Sequence, residues 1–240
     1  MSKKGKKKNQ KSNNLLDRLE ECDRGGQFEL DLSQLKLEIW PTETMVVPNI
    51  ATLKAYGNLW NTVPGLDAFK GLESIDLSRC KITNLDESNL TGLHRLKFLD
   101  LSRNELTEIP DDITHLPLLQ NINLSRNQIS KLPKDVKGMV SIRVIDLSHN
   151  SLTNIGSIFD ELPNLHEIDF INNPDLDENT MSIKTRRLFE KKQLLRSKRS
   201  RRVLINRALG IRHDVLVKEQ KFIEDEIAKS KMNHTVNAFP

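Results

Sequence analysis

Leu96-Lys97-Phe98-Leu99-Asp100-Leu101-Ser102-Arg103-Asn104-Glu105-Leu106-Thr107-Glu108-Ile109-Pro110 decides the architecture of this chain, because variants of the phrase return at nearly constant intervals. With the first apolar residue of the I/L-D-L core as origin, the origins are Leu30, Leu53, Ile75, Leu99, Ile122, Ile145 and Ile168. Their spacings are 23, 22, 24, 23, 23 and 23 residues. A period this regular marks a solenoid, in which each unit contacts only its neighbours.

The letters of the phrase have physical reasons. Side chains alternate along an extended segment, so Leu99 and Leu101 are expected to point inward and their neighbours outward. Leu99, Leu101, Leu106 and Ile109 should then stack on Ile122, Leu124, Ile129 and Leu132 of the next unit. A fully buried aliphatic side chain contributes roughly 1.5–3 kcal/mol, against about 1–2 kcal/mol per residue of backbone ordering, so a lone unit does not stand but a stack does. Asn58, Asn104, Asn127, Asn150 and Asn173 fall at the point where the chain turns inward and should satisfy backbone groups of adjacent units. Cys80 takes that place in the third unit, and Leu35, which cannot hydrogen-bond, in the first. Pro41, Pro64, Pro110 and Pro133 follow inward Trp40, Val63, Ile109 and Leu132 and should end each extended segment before a convex turn or short helix such as 111–116.

The period and the L-x-x-L-x-L-x-x-N-x-L core resemble the leucine-rich repeat family, in its short intracellular form, over residues 27–176. The resemblance implies an α/β solenoid: a right-handed horseshoe of about seven repeats with a concave binding face. Before the repeats, Leu15, Leu16, Leu19 and Cys22 share one helical face and predict a capping helix within 13–26. After them, Asn173-Pro174-Asp175-Leu176 resembles the phrase that closes such arrays. The domain plan is therefore a basic disordered arm over 1–12, the cap, repeats over 27–177, a basic helical extension over 178–231 and a disordered tail over 232–240. Residues 14–41 also resemble the opening of the ribosome-associated leucine-rich repeat family of the endoplasmic reticulum. This chain departs from that family in having more repeats and no C-terminal membrane span, so the resemblance implies ribosome proximity rather than membrane residence.

Net charge of +4 conceals a strong polarity. Residues 1–16 carry six lysines and no acid; 17–176 carry 15 basic and 25 acidic residues; 177–240 carry 16 basic and 8 acidic. Two cysteines at core positions argue against a disulfide framework and for a reducing compartment. No apolar run reaches membrane-spanning length, the basic start lacks a following hydrophobic stretch, and position 2 is not glycine. The expected location is cytoplasm, nucleus or both.

No catalytic constellation is legible. The six histidines have no metal spacing, no Gly-rich phosphate loop or nucleophile elbow occurs, and Asp86-Glu87 and Asp111-Asp112 read as convex-turn residues. The chain is expected to be no enzyme and to take no cofactor, metal or small-molecule substrate. Its chemistry should lie on the concave face, where an acidic column (Asp31, Asp76, Asp100, Asp146, Asp169) runs beside a serine column (Ser33, Ser78, Ser102, Ser125, Ser148) and a basic column (Arg79, Arg103, Arg126, His149). Phe98, Val144, Tyr56 and Ile171 are the unusual outward residues, and an exposed aromatic on such a scaffold is a candidate hot spot. The candidate partner site is thus Tyr56, Arg79, Phe98, Asp100, Arg103, Arg126, Val144, Asp146 and His149, for a protein partner the sequence does not name.

A second surface is the tail. A helix over about 179–200 would carry one narrow apolar edge (Met181, Leu188, Leu195, with Phe189 and Leu194) and a broad basic face, broken near 206–210. A further helix is expected over 214–230. Arg186, Arg187, Lys191, Lys192, Arg196, Lys198, Arg199, Arg201 and Arg202 would contact an anion: RNA or the ribosome, an acidic protein surface, or, less favoured, anionic membrane. Few stacking aromatics accompany them, which points away from a single-strand platform. Lys3–Lys8 and 198–202 also have the composition of nuclear-import signals.

Overall fold

The computed structural model describes residues 14–24, 28–41, 49–86, 88 and 90–208, with the side chains of all but 23, 24 and 199–208 of these. Seven three-residue strands, β1 (Glu29–Asp31), β2 (Thr52–Lys54), β3 (Ser74–Asp76), β4 (Phe98–Asp100), β5 (Asn121–Asn123), β6 (Val144–Asp146) and β7 (Glu167–Asp169), form one parallel sheet in chain order. Every sequence origin pairs with the next: Leu30 with Leu53, Leu53 with Ile75, and so on to Ile145 with Ile168. All seven origins are buried, as are Leu101, Leu106, Leu124, Ile129, Leu147 and Leu152 beneath them. Between strands the chain returns through short 3-10 turns, at Leu66–Ala68, Leu90–Gly92, Asp111–His115 and Ile158–Glu161.

The asparagine column is a hydrogen-bond ladder that repeats with little variation. Asn127 Nδ2 donates to the carbonyls of Leu124 in its own repeat and Leu101 in the previous one, while its Oδ1 accepts the Leu106 N–H at 3.1 Å. Asn58, Asn104, Asn150 and Asn173 do the same one repeat apart. Cys80 Sγ reaches the carbonyls of Ala55 and Ser78 at 3.7 and 3.6 Å, but a thiol offers no carbonyl oxygen to the preceding repeat. Burial raises the Cys80 thiol pKa above its ordinary value.

Both ends of the stack are closed by helical material. α1 (Leu15–Arg24) buries Leu19 and Cys22, with Leu15 partly covered. Leu16, expected on the same face, is 58% exposed. Its place is taken by Arg18, 8% exposed, which lies one helical turn from both Leu15 and Cys22. Arg18 Nη1 donates to the carbonyls of Asp31 and Ser33, both at 2.9 Å. The equivalent carbonyls of the second repeat, Lys54 and Tyr56, receive the backbone N–H groups of Leu32 and Gln34. The guanidinium thus supplies to the first strand the donors that a preceding repeat would have supplied.

At the other end Met181, Thr185 and Phe189 are buried, and Phe189 stacks on Phe170 at 5.7 Å between ring centres. Ser182 opens α2 (Ile183–Ala208) by accepting the Thr185 N–H, and Asp160 Oδ1 accepts both the Ser182 and Thr185 hydroxyls. α2 starts four residues later than the expected 179 and extends past 200 to Ala208, which lies inside the 206–210 stretch where a break is expected; 209 and 210 lie outside the described residues. The narrow apolar edge does not persist: Leu194 and Leu195 are 55% and 52% exposed. The chain divides into two compact units, 1–190 and 191–240. The arm over 1–12, the helix expected over 214–230 and the tail over 232–240 lie outside the described residues.

Candidate functional site

The outer face of the sheet is built from three rows, and the backbone explains each. In six repeats an Asp or Asn in the strand accepts, through Oδ1, the N–H two residues on: Asp31 from Ser33, Asp76 from Ser78, Asp100 from Ser102, Asn123 from Ser125, Asp146 from Ser148 and Asp169 from Ile171. These are Asx turns, in which the side chain holds the backbone in a bend. Asp100 and Asp146 therefore hold the fold as well as facing outward. The second oxygen of Asp100 accepts from Asn123 Nδ2 at 3.1 Å.

The bend places the following residue in left-handed backbone. Gln34, Arg79, Arg103, Arg126, His149 and Asn172 all have φ between 56° and 59°. The second repeat deviates at both positions together. Lys54 replaces the carboxylate and cannot accept a hydrogen bond, and Gly57, with φ 73°, occupies the left-handed position that glycine adopts without a steric penalty. Lys54 instead pairs with Glu29 at 2.6 Å, and that hydrogen bond raises its pKa above the ordinary lysine value.

The serine column is mostly withdrawn from the surface, Ser125 alone of the five being half-buried. Ser33, Ser78, Ser102 and Ser148 are buried, because the turn folds them beneath the strand ends. Tyr56, in the same column, is too large to follow; it is half-buried and its hydroxyl accepts from Gln34 Nε2 at 3.1 Å.

What remains outward is compact. Phe98 is 46% exposed and lies in register between Ser74 and Asn121; Val144, half-buried, follows Asn121 on the next strand. Adjacent strands stand about 4.8 Å apart, so Phe98 and Val144 bracket Asn121 across roughly 10 Å. At the far ends of the same strands Arg79, Arg103 and Arg126 are exposed, and among the described residues none of the three side chains takes an ion pair or hydrogen bond. His149 continues the row, half-buried and hydrogen-bonded to Asn172 Nδ2 at 3.0 Å. Arg143, at the position of Lys97 two repeats on, is likewise exposed and takes no ion pair or side-chain hydrogen bond among the described residues, whereas Lys97 and Arg95 are paired. They hold Glu73 at 2.7 and 3.3 Å, and the Lys97 hydrogen bond foremost keeps that carboxyl below the usual glutamate range.

The tail residues are distributed differently. Arg186 is half-buried and donates to the Glu178 carbonyl at 2.7 Å, so it helps fix the start of α2. Arg187, Lys191 and Lys198 are exposed, Lys192 and Arg196 half-buried. Arg199, Arg201 and Arg202 lie on α2, their side chains outside the described residues. Among the described residues no group of His, Cys, Asp and Glu is placed to hold a metal ion, and no helix is long and apolar enough to cross a membrane.

Sequence reasoning missed Arg18, whose charge hid its place on an apolar helix face, and the latch of Asp160 on Ser182 and Thr185. No sequence signal pointed to the latch, since its partners come from different turns.

Two models of the leucine-rich repeat match the chain, at residues 70–129 and 141–165. Over 92 residues, 37% of its length, the chain is 33% identical to MAP kinase phosphatase with leucine-rich repeats protein 3 of Dictyostelium discoideum. Over 68 residues, 28% of its length, it is 41% identical to Toll-like receptor 9 of Felis catus. It spans only 11% and 6% of those two relatives. Among solved structures, the functional domain of InlJ from Listeria monocytogenes, described as including a cysteine ladder, superimposes with a TM-score of 0.52 at 26% identity, over 63% of this chain and 31% of that one. The column described above holds a single cysteine, Cys80.

Proposed function

Since the chain belongs to the leucine-rich repeat family, we propose that it is a non-enzymatic adaptor that binds a protein partner on the outer face of its sheet. Leucine-rich repeat domains generally mediate protein–protein interaction, and the finer assignment rests on one observation. Phe98 is a large apolar side chain kept 46% exposed on the middle strand of the sheet, and the arginines at the far ends of the strands take no ion pair or hydrogen bond among the described residues. A buried aromatic anchor ringed by polar contacts is the usual energetic centre of a protein interface. Tyr56, Asp100, Val144, Asp146 and His149 complete the surface.

A second role for α2 has its own support. At about 100° per residue, the basic residues from Lys184 to Arg207 fall on every side of the helix rather than on one face. A helix lying on membrane needs segregated faces, whereas phosphate contacts need only density of charge. The basic extension therefore serves as an anchor to RNA, the ribosome among its possible hosts, and the cytoplasm or nucleus is where such an anchor acts.

The test compares three forms of the full chain as affinity baits: wild type, Phe98→Ser with Val144→Ser, and Arg196→Glu with Arg199→Glu and Arg202→Glu. Partners lost with the sheet variant and retained, indifferent to ribonuclease, with the helix variant support the adaptor. Partners lost only with the helix variant and with ribonuclease would leave RNA anchoring as the main function.

A further inference from the structure

We infer that Arg79, Arg103 and Arg126 form a row that receives the carboxylates of an acidic helix face on the protein partner, one carboxylate per repeat. This rests on the outer sheet face being the partner surface. Three observations carry it.

The first is conformational. All three arginines occupy left-handed backbone, which Gly57 and Asn172 fill at the same position in other repeats. Glycine and asparagine adopt that region more readily than a residue with a long side chain. Long cationic side chains at three consecutive such positions contribute nothing the turn itself requires.

The second is their lack of partners. Arg18, Lys54, Arg95 and Lys97 are each bound to a carboxylate. Arg79, Arg103 and Arg126 are exposed and, among the described residues, none is so bound, although Asp76 and Asp100 lie on the same strands. Those carboxylates are held instead by backbone N–H groups. Among the described residues the guanidiniums meet no acceptor, so their donors are open to an external one, and a guanidinium fork matches a carboxylate in two parallel bonds.

The third is spacing. Strands about 4.8 Å apart place the row over roughly 10 Å from Arg79 to Arg126. On a helix, side chains three or four apart are about 5–6 Å from one another, and two such steps cover about 10.5 Å. An extended peptide presents same-face carboxylates at about 6.6–6.8 Å and drifts out of step by the third. A nucleic acid is a poorer occupant, because a phosphate chain would also meet the Asp76, Asp100 and Asp146 row. A helix with acids on one side only offers the arginines its acidic face and turns other residues to the aspartates.

The experiment titrates the isotope-labelled full chain, followed by backbone amide NMR, with two peptides of identical Ala, Lys and Glu composition. One carries glutamates at i, i+4 and i+7; the other spreads them around the helix. A fifteen-base oligo-dT serves as the phosphate probe. The expected result is amide shifts centred on Arg79, Arg103 and Arg126 with the first peptide, and roughly tenfold weaker binding in R79N/R103N/R126N. Because asparagine suits the left-handed turn, the variant should melt no lower than wild type. Equal response to both peptides, a titration unchanged by the variant, or stronger displacement of the same amides by oligo-dT overturns the inference. If Phe98→Ser releases a captured cellular partner and the triple asparagine variant does not, the partner surface stands and the acidic-helix row falls. If neither variant releases it, both fall.

Discussion

Arg18 and Asp31 meet in a pairing that is half backbone and half side chain: Arg18 Nη1 lies 2.9 Å from the Asp31 carbonyl oxygen and 3.2 Å from its carboxylate. The pair is largely buried, and the same nitrogen reaches the Ser33 carbonyl. Arg18→Ala leaves two edge carbonyls without their donor and a shielded carboxylate without its cation, so it should destabilise the chain by about 3 kcal/mol in urea denaturation. Arg18→Lys should recover only part, since the lysine side chain is one bond shorter and carries its nitrogen less far toward the carbonyls of Asp31 and Ser33. A loss below about 1 kcal/mol for Arg18→Ala would show that water replaces the guanidinium readily.

The asparagine ladder is one acceptor short at Cys80. Cys80→Asn should therefore raise the denaturation midpoint, worth about 1 kcal/mol for the added hydrogen bond. Asn127→Ala, which breaks an intact rung with three bonds, should cost about 2–3 kcal/mol. Burial and its raised pKa should also leave the Cys80 thiol unreactive toward alkylating reagents at neutral pH until the repeats unfold.

Glu73 gives a pH-dependent signature. Its pKa is lowered by Lys97 first and Arg95 second, so the interaction stabilises the folded state above the ordinary glutamate pKa. That stabilisation disappears as pH falls through the lowered folded value. Lys97→Met should move the NMR-titrated pKa of Glu73 upward. It should also lower stability at pH 7 while leaving it equal to wild type at strongly acidic pH. A Glu73 pKa that stays put would mean that Arg95 alone holds the carboxylate.

Phe189 should matter more than anything beyond it. Phe189→Ala removes the ring packed on Phe170 and should cost about 3 kcal/mol. Deleting residues 213–240 should shift the melting temperature little. A large loss on that deletion would assign part of the packing to the distal segment.

The repeat register was fully legible because its cause is local and iterated. One inward residue every 22–24 positions fixes each strand, and pairing in chain order follows from parallel stacking. The asparagine ladder was readable for the same reason. Misreadings cluster where a residue answers to three dimensions. Alternation assigns Ser102 outward, but the Asx turn made by Asp100 rolls it under. Helical periodicity favours Leu16 over Arg18, yet the face of α1 is chosen by the carbonyls awaiting donors on β1. Leu195 continues a seven-residue spacing with Leu188 and is left bare, because spacing along a helix cannot say where the surface it packs on stops. For the candidate site, Phe98 and the arginines could be placed from sequence; that the arginines pair with none of the described residues could not.

Each ladder asparagine ties its own repeat to the one immediately before it and to no other. Tension applied between the two ends of the domain would therefore be carried rung by rung in series. Under load, the repeats should detach singly, each lengthening the chain by the reach of about 23 residues, as a row of equal steps in a force trace. The step at Cys80, the rung with the fewest bonds, should come at the lowest force.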